Sequence, residues 1–156
     1  MPAGPIHLVC HRRGAFRLRW FPGQLEQLQI LLDRHSFWAC GRSTLELRLM
    51  LRASQAVVSA WQGRRLVGFG RATSDGVFRA VIWDVVIASD QQGQGVGRRL
   101  VEALLDARAV QTVERVYLMT TNSAGFYEQL GFERVERQAL MVRSFEQSAL
   151  DQRTDC

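Results

Sequence analysis

The sequence predicts an α/β fold, a single domain built around one mixed sheet. With 156 residues, 47% of them hydrophobic and 22% charged, the chain has the size and composition of one globular domain. Predicted elements follow in the order β-α-α-β-β-β-α-β-α-β-β, with no linker or repeat. Asp75-Gly76 is a hairpin signal, so the middle strands are expected to be antiparallel. The strand–helix–strand passage that follows requires a parallel pair.

The N-terminal third is predicted to contain one strand and two helices. Residues 1–14 lack a periodic pattern and are expected to be irregular. Apolar and Arg residues alternate over 16–20, which is typical of a short strand. A helix then opens at Pro22-Gly23 and continues to about His35, with Leu residues at helical spacing. A second helix is expected over 43–52, because Ser43 and Glu46 have the spacing of a capping box.

The remaining elements build the sheet and its crossover. Three strands are predicted over 57–61, 66–73 and 77–88. After them come a helix over 96–110, a strand over 115–120 and a short helix over 123–130. A last strand pair is expected over 132–135 and 139–145, followed by a polar tail from residue 146.

The basic residues exclude several classes of enzyme. All 20 are Arg, and the chain contains no Lys. A Walker A phosphate loop, a protein kinase and a pyridoxal enzyme each need a Lys at a defined place, so none of them can be built here. The net charge of +5 favours anionic ligands. The Arg pairs are short and well separated, however, so a solvated basic surface is expected rather than nucleic-acid binding.

Cysteine content and hydropathy indicate a cytoplasmic protein without metal. Cys10, Cys40 and Cys156 are far apart and form no C-x-x-C pair, so no zinc site or disulfide framework is expected. No apolar run is long enough to cross a membrane, and no membrane association is expected.

A glycine-rich turn carries the chemical signal. The predicted strand over 77–88 leads through Gly93, Gly95 and Gly97 into a helix. Glycines let backbone N–H groups approach a ligand, and the helix N-terminus adds partial positive charge, so a phosphate or diphosphate fits here. A G-x-G-x-x-G dinucleotide pattern fails, because its third glycine falls on Arg98 or Leu100.

Two motifs resemble one known family. Gln92, Gly95 and Gly97 match Gln-x-x-Gly-x-Gly, which resembles motif A of the GCN5-related N-acetyltransferases (GNAT). Phe126-Tyr127, followed by Gly131-Phe132, resembles motif B of the same family. Segments at 70–76, 82–85 and 92–95 are similar to the cyanobacterial and chloroplast members, which include serotonin (arylalkylamine) and protein lysine or N-terminal acetyltransferases.

The resemblance implies a fold and a cosubstrate. The family's fold is a mostly antiparallel sheet with helices on both faces and a splayed parallel strand pair at the coenzyme A site. Acetyl-CoA would be the cosubstrate, with no metal. Its diphosphate would bind the backbone N–H groups of the turn, and its arm would lie along the preceding strand. Tyr127 would contact the sulfur. The family often has an Asn seven places before this Tyr, where Thr120 stands here, and either Thr120 or Asn122 could contact the pantetheine or the sulfur side. The implied cofactor residues are therefore Val85, Val86, Ile87, Gln92, Gly93, Gln94, Gly95, Val96, Gly97, Arg98, Asn122 and Tyr127.

Two residues are candidates for catalysis. Tyr127 matches the family's general acid, which protonates the departing thiolate; the alternative is a core aromatic beside Phe126. Asp84 is the one charged residue in the apolar segment 80–88, which suggests a base. Its alternative role is a structural ion pair with Arg79 or Arg71.

The acceptor is left open between two classes. The narrower resemblance fits a small arylalkylamine such as serotonin, and it fits a protein lysine almost as well. Phe37 and Trp38 would either line an acceptor pocket or pack over the sheet. Dimers are common in the family, which leaves a homodimer open. A non-catalytic acyl-CoA-binding regulatory module on the same fold is the alternative to an enzyme.

Overall fold

A five-stranded sheet forms the centre of the fold. The structure is a computed structural model that describes residues 4–12 and 23–145. Its strands are β1 (Ile6–Arg12), β2 (Ala56–Gln62), β3 (Arg65–Ser74), β4 (Arg79–Ile87) and β5 (Arg115–Tyr117). They lie side by side in this order. The first four pair antiparallel, and β4 pairs with β5 in parallel. The predicted antiparallel meander and parallel crossover are both confirmed.

Two layers of helix cover this sheet. The helices are α1 (Gln24–His35), α2 (Thr44–Ala53), α3 (Val96–Leu105), α4 (Arg108–Gln111) and α5 (Ala124–Glu128). α1 and α3 both pack on β3 and β4. On the α3 face, Gly70 makes a close approach possible, because a Cβ there would lie 2.6 Å from Leu100 Cδ2. The core combines both layers and the sheet through Leu28, Leu32, Leu47, Leu51, Phe69, Leu100, Val101 and Leu104.

The predicted helix starts agree closely with the structure. Ser43 caps α2: its hydroxyl accepts a hydrogen bond from the Glu46 N–H, and the Glu46 carboxylate accepts one from the Ser43 N–H. Such a reciprocal cap satisfies backbone donors that a helix cannot pair internally. α1 begins one residue after Gly23 and ends at His35, as its leucine spacing predicts.

The prediction of an irregular N-terminal segment is wrong for residues 6–12. These residues form β1, which pairs with β2 along its whole length, from Ile6 opposite Gln62 to Arg12 opposite Ala56. His11 Nε2 also lies 2.9 Å from Ser59 Oγ on β2. A ladder partner distant in sequence therefore makes a strand where the local pattern is weak. The predicted strand over 16–20 and the polar tail from 146 lie outside the described residues.

Two further predictions need correction. The helix expected over 96–110 is interrupted after Leu105, where Ala107 is extended, and α4 follows. The Ser74 hydroxyl donates to the Ala109 carbonyl, and Val110 is buried, so tertiary contacts set this break. The strand pair expected over 132–135 and 139–145 does not form in the structure. A segment of alternating apolar residues forms a strand only where another strand pairs with it, and residues 120–145 contain no strand that could pair with these segments.

The described chain separates into two compact units. Residues up to Met119 form the first, which holds the whole sheet and α1 to α4. Residues from Thr120 onward form the second, which contains α5. The prediction of a single domain stays a prediction.

Candidate active site

The glycine-rich turn, residues 92–97, joins the end of β4 to α3. A short 3-10 turn over Ser89–Gln91 follows β4, and α3 begins at Val96 with Gly95 as its N-cap. Gly93 and Gly95 both have positive φ, 73° and 77°. Only glycine adopts this left-handed backbone without strain, which is why the sequence places glycine at both points.

A row of unpaired amides lies in this turn. The N–H groups of six consecutive residues, 93–98, have no hydrogen-bond acceptor within the described chain. The first backbone bond of the helix is donated by Arg99 to the Gly95 carbonyl. Unsatisfied amides at a helix N-terminus attract anions, and the helix dipole adds to this attraction. The predicted diphosphate site therefore has the donors that such a ligand needs.

Polar side chains hold the turn in place. Gln92 Nε2 donates to the Ile87 carbonyl at 3.1 Å, and Gln94 Nε2 donates to the Asp90 carbonyl at 3.1 Å. Gln92 therefore shapes the loop by tying it to the end of β4. Both side-chain amide groups therefore stabilise the backbone of the turn.

Charges around the turn are largely compensated. Arg65 forms two hydrogen bonds with the Asp90 carboxylate, at 2.7 and 2.8 Å, and they hold the pKa of Asp90 well below its usual range. The Arg98 guanidinium lies 3.4 Å from Glu102 one turn along α3, and about half of each side chain is exposed. Arg98 can release such an exposed partner at little cost, so it stays available to an anion.

The strand edge before the turn is open on one side. β5 pairs with β4 only from Arg79 to Val81, and β4 continues to Ile87. The Ala88 N–H donates to the Val67 carbonyl on β3. In an antiparallel ladder, the backbone groups of successive residues point alternately toward and away from the paired strand, so those of Val85 and Ile87 point away from β3. Val86 keeps its β3 pairing opposite Phe69. The predicted splay is thus present among the described residues, and two of the three predicted backbone positions face the open edge.

A β-bulge interrupts β4 just before this open stretch. Trp83 pairs with Arg71 and Val86 pairs with Phe69, so Asp84 and Val85 together lie opposite Gly70. Asp84 has φ 53°, and it is the one described residue other than glycine with positive φ. The bulge aims the Asp84 side chain away from the regular ladder and fixes where the open edge begins.

Asp84 is held by two arginines. Its Oδ2 lies 2.7 Å from Arg71 Nε, its Oδ1 lies 3.2 Å from Arg42 Nη1, and only 6% of its side chain is exposed. The structural ion pair with Arg71 that sequence reasoning weighed is therefore present. Arg79, the other partner considered, pairs with Glu114 instead. A role of Asp84 as base stays a prediction.

Sequence reasoning missed Arg42. It lies in the loop between α1 and α2, and no local pattern connects it to β4. Gln29 donates to its carbonyl at 2.9 Å, which fixes that part of the loop. The only available signal was an unpaired carboxylate in an apolar strand, which demands a cationic partner without saying which.

Tyr127 lies in α5, in the second unit. Its ring contacts Phe126 and Phe132 edge-on, with centroid distances of 4.9 and 5.8 Å. Burial raises the pKa of the Tyr127 phenol, so the group stays protonated at neutral pH. Its hydroxyl has no hydrogen-bond partner within the described residues. The contacts fit a core aromatic, and the unpaired hydroxyl fits a proton donor.

Asn122 and the aromatic pair after α1 occupy exposed places. Asn122 Oδ1 accepts from the Ser123 hydroxyl at 3.2 Å, and Thr120 Oγ1 accepts from the Ser123 N–H at 3.0 Å. Phe37 and Trp38 contact each other edge-on and are 72% and 51% exposed. Side chains packed over the sheet would be buried, so this exposure favours the other prediction, that Phe37 and Trp38 line a pocket for the acceptor.

No group of three or more potential metal-binding His, Cys, Asp or Glu side chains occurs within residues 4–12 and 23–145. Over the same residues, no helix has the length and apolar character needed to cross a membrane.

Comparisons with known proteins agree with this geometry. The model of the acetyltransferase (GNAT) family matches residues 20–132. GCN5-related N-acetyltransferase 2, chloroplastic, from Arabidopsis thaliana is 42% identical over 73 residues, 46% of this chain and 28% of that protein. Serotonin N-acetyltransferase 2, chloroplastic, from rice is 44% identical over 69 residues, 44% of this chain and 34% of that protein. The chain therefore spans only about a third of the length of these curated relatives.

A solved structure supports the fold. The crystal structure of a GNAT-family protein from Xanthomonas campestris superposes with a TM-score of 0.71 at 21% identity, covering 92% of this chain and 96% of that one. The similarity to chloroplast members, predicted from residues 70–95, is confirmed by the two plant proteins. Because the family model covers most of the chain, including the glycine-rich turn and Tyr127, this chain belongs to the GNAT family of acetyltransferases.

Proposed function

We propose that this protein transfers the acetyl group of acetyl-CoA to a primary amine by direct attack. The row of six unpaired amides over residues 93–98, next to the open edge of β4, is the observation that carries the proposal. Its amides would bind the diphosphate, and the Val85 and Ile87 backbone groups would bind the arm and the thioester carbonyl. N–H donors aimed at a developing oxyanion are worth about 3 kcal/mol of the barrier.

The reaction balances without a further reagent. The lone pair of the neutral amine attacks the thioester carbon, a C–N bond forms and the C–S bond breaks. The nitrogen loses a proton to water or to a base, and the departing thiolate takes one from the Tyr127 phenol. That phenol is then reprotonated from solvent. Burial raises the pKa of this phenol, so the hydroxyl still carries its proton at neutral pH when the thiolate leaves.

Two acceptor classes stay proposals. The serotonin N-acetyltransferase among the relatives supports a small arylalkylamine, and the resemblance to protein acetyltransferases supports a lysine side chain. The alternative to an enzyme is a regulatory module that binds acyl-CoA without turnover. Cytoplasmic location is proposed on the sequence alone.

Replacement of Tyr127 by Phe tests the acid assignment. CoA release is measured with acetyl-CoA and a panel of arylalkylamines, diamines and lysine peptides. Loss of a positioned acid lowers kcat about 100-fold, whereas the dissociation constant of acetyl-CoA, measured by calorimetry, stays within about twofold. Tyr117→Phe, at the chain's other tyrosine, is the matched control. Equal turnover in the two variants would remove Tyr127 from the mechanism, and binding without any CoA release would favour the regulatory module.

The pH profile gives a second test. Deprotonation of the acceptor raises the rate as pH increases. Burial raises the pKa of Tyr127, so its ionisation lowers the rate only above about pH 10, the ordinary tyrosine value. A fall in the rate of the wild-type protein between about pH 8 and 9 would contradict Tyr127 as the acid.

A further inference from the structure

Three charged side chains meet beside the bulge of β4. Arg42, from the loop between α1 and α2, and Arg71, from β3, both contact the carboxylate of Asp84. Their exposed side-chain fractions are 24%, 15% and 6% for Arg42, Arg71 and Asp84. We call this group the bulge cluster. It ties three separate elements together at the start of the open β4 edge.

The bulge cluster contains more positive than negative charge. Two guanidinium groups share one carboxylate, and both oxygens of Asp84 are already engaged. Arg71 also donates to Ser54 Oγ at 3.4 Å and lies 5.7 Å from the centre of the Trp83 ring. Arg42 has one further contact, from Nη1 to Met50 Sδ at 3.6 Å. The Nε and Nη2 donors of Arg42 have no partner among the described residues, so they remain available to hydrogen-bond a ligand.

Two acids beside the loop that carries Arg42 have other hydrogen-bond partners. Asp33 Oδ1 accepts from the Gly41 N–H at 2.9 Å, and the Glu46 carboxylate accepts from the Ser43 N–H at 2.7 Å. Both carboxylates therefore bind backbone donors, and neither forms a hydrogen bond with the Arg42 guanidinium. A partly buried cation without a full counter-charge is costly, which favours the binding of an anion there.

We propose that the bulge cluster binds the carboxylate of the acceptor, so that the preferred substrates are amino acids rather than simple amines. This inference rests on the proposed acetyl transfer. Arg42 Nη1 lies 3.2 Å from Asp84, which directly precedes Val85, the residue whose backbone would face the thioester. A carboxylate held by Arg42 would therefore direct the amine of the same molecule toward that edge. Guanidinium forks bind carboxylates with paired hydrogen bonds and fixed orientation. The same positive field lowers the pKa of an incoming ammonium and raises the fraction of neutral amine.

Matched substrate pairs test the inference. kcat/KM is measured for L-tryptophan, tryptophanamide and tryptamine, and for L-lysine and cadaverine. A charge-assisted contact makes kcat/KM about tenfold or more higher for the members with a carboxylate. The α-amine of tryptophanamide loses its proton more readily than that of tryptophan, which works against this preference and makes the test strict.

Three variants locate the effect. Arg42→Gln reduces the preference to within about twofold, Arg42→Lys keeps part of it because the charge remains, and Arg48→Gln leaves it unchanged. Arg48 is an exposed residue of α2 with no side-chain partner in the described chain, which makes it a matched control. Thermal midpoints and acetyl-CoA dissociation constants show that the Arg42 variants fold and bind the cosubstrate.

Each outcome decides the inference. An unchanged preference in Arg42→Gln, or a wild-type protein that acetylates tryptamine and cadaverine at least as well as the amino acids, overturns it. If no amine is acetylated, the proposed function fails, and calorimetric titration of CoA-loaded protein with tryptophan and tryptamine still decides the inference. Tryptophan then binds about tenfold or more tightly than tryptamine, and Arg42→Gln removes the difference.

Discussion

The glycine-rich turn and the β4 bulge both contain left-handed backbone, and they achieve it in opposite ways. Gly93 and Gly95 adopt φ of 73° and 77° without any side chain, and the amides around them stay unpaired. Asp84 adopts φ 53° with a side chain that two arginines hold in place. One region leaves its backbone donors free for a ligand, and the other uses a side chain to secure its backbone.

This difference separates two kinds of stability. The turn depends on residues adjacent in sequence, and its strain is avoided by the choice of glycine. A residue other than glycine in the left-handed region costs about 1–2 kcal/mol, so the bulge needs compensation from elsewhere. Arg42 and Arg71 supply it through contacts with Asp84. Changes in the bulge should therefore affect folding first, whereas changes in the turn should affect ligand binding first.

Removal of the Asp84 carboxylate should have the largest effect. Asp84→Ala leaves two partly buried guanidinium groups facing each other, so the free energy of unfolding should fall by about 2–4 kcal/mol. Chemical denaturation measures it. Asp84→Gly loses the same ion pairs but relieves the left-handed backbone, and should be more stable than Asp84→Ala by about 1 kcal/mol. Equal stability of these two variants would contradict the strain assigned to the bulge.

A side chain added in the glycine-rich turn should mainly weaken the binding of acetyl-CoA. Gly95→Ala forces an L residue into φ 77°, which costs about 1–2 kcal/mol or tilts the neighbouring amides. Acetyl-CoA affinity should fall about tenfold by calorimetry, because the amides no longer converge. Gly63→Ala, at φ 58° in the hairpin between β2 and β3, is the control: it should lower stability similarly and leave the affinity unchanged. A matching loss of affinity in both variants would refute the assignment of the turn.

The salt dependence of the two regions should differ, and this is the smallest of the expected effects. The turn and Arg98 are exposed, so raising NaCl from about 0.05 M to about 0.5 M should weaken acetyl-CoA binding several-fold. The bulge cluster is largely buried and should be screened much less, so the stability difference between wild type and Asp84→Asn should change little. Calorimetry and denaturation at both salt concentrations measure these effects. A large salt dependence of the Asp84→Asn difference would show that the cluster is open to solvent.

The elements that the sequence predicts best are those with local signals. Ser43 and Glu46 define the start of α2 by their spacing, and Asp75-Gly76 defines the hairpin between β3 and β4. Where the deciding contact is distant, local patterns fail. β1 depends on its ladder with β2, and the end of α3 depends on Ser74 reaching Ala109.

The candidate site divides along the same line. By itself, the sequence determined the glycine-rich turn, because a strand, a run of glycines and a helix N-terminus are adjacent residues whose backbone preferences suffice to expose the amides. Only the tertiary structure decided which cations accompany Asp84, because a buried carboxylate requires a counter-charge but any arginine distant in sequence can supply it. The loop after α1 brings Arg42 to 3.2 Å from Asp84, and the proposed choice of acceptor depends on that residue.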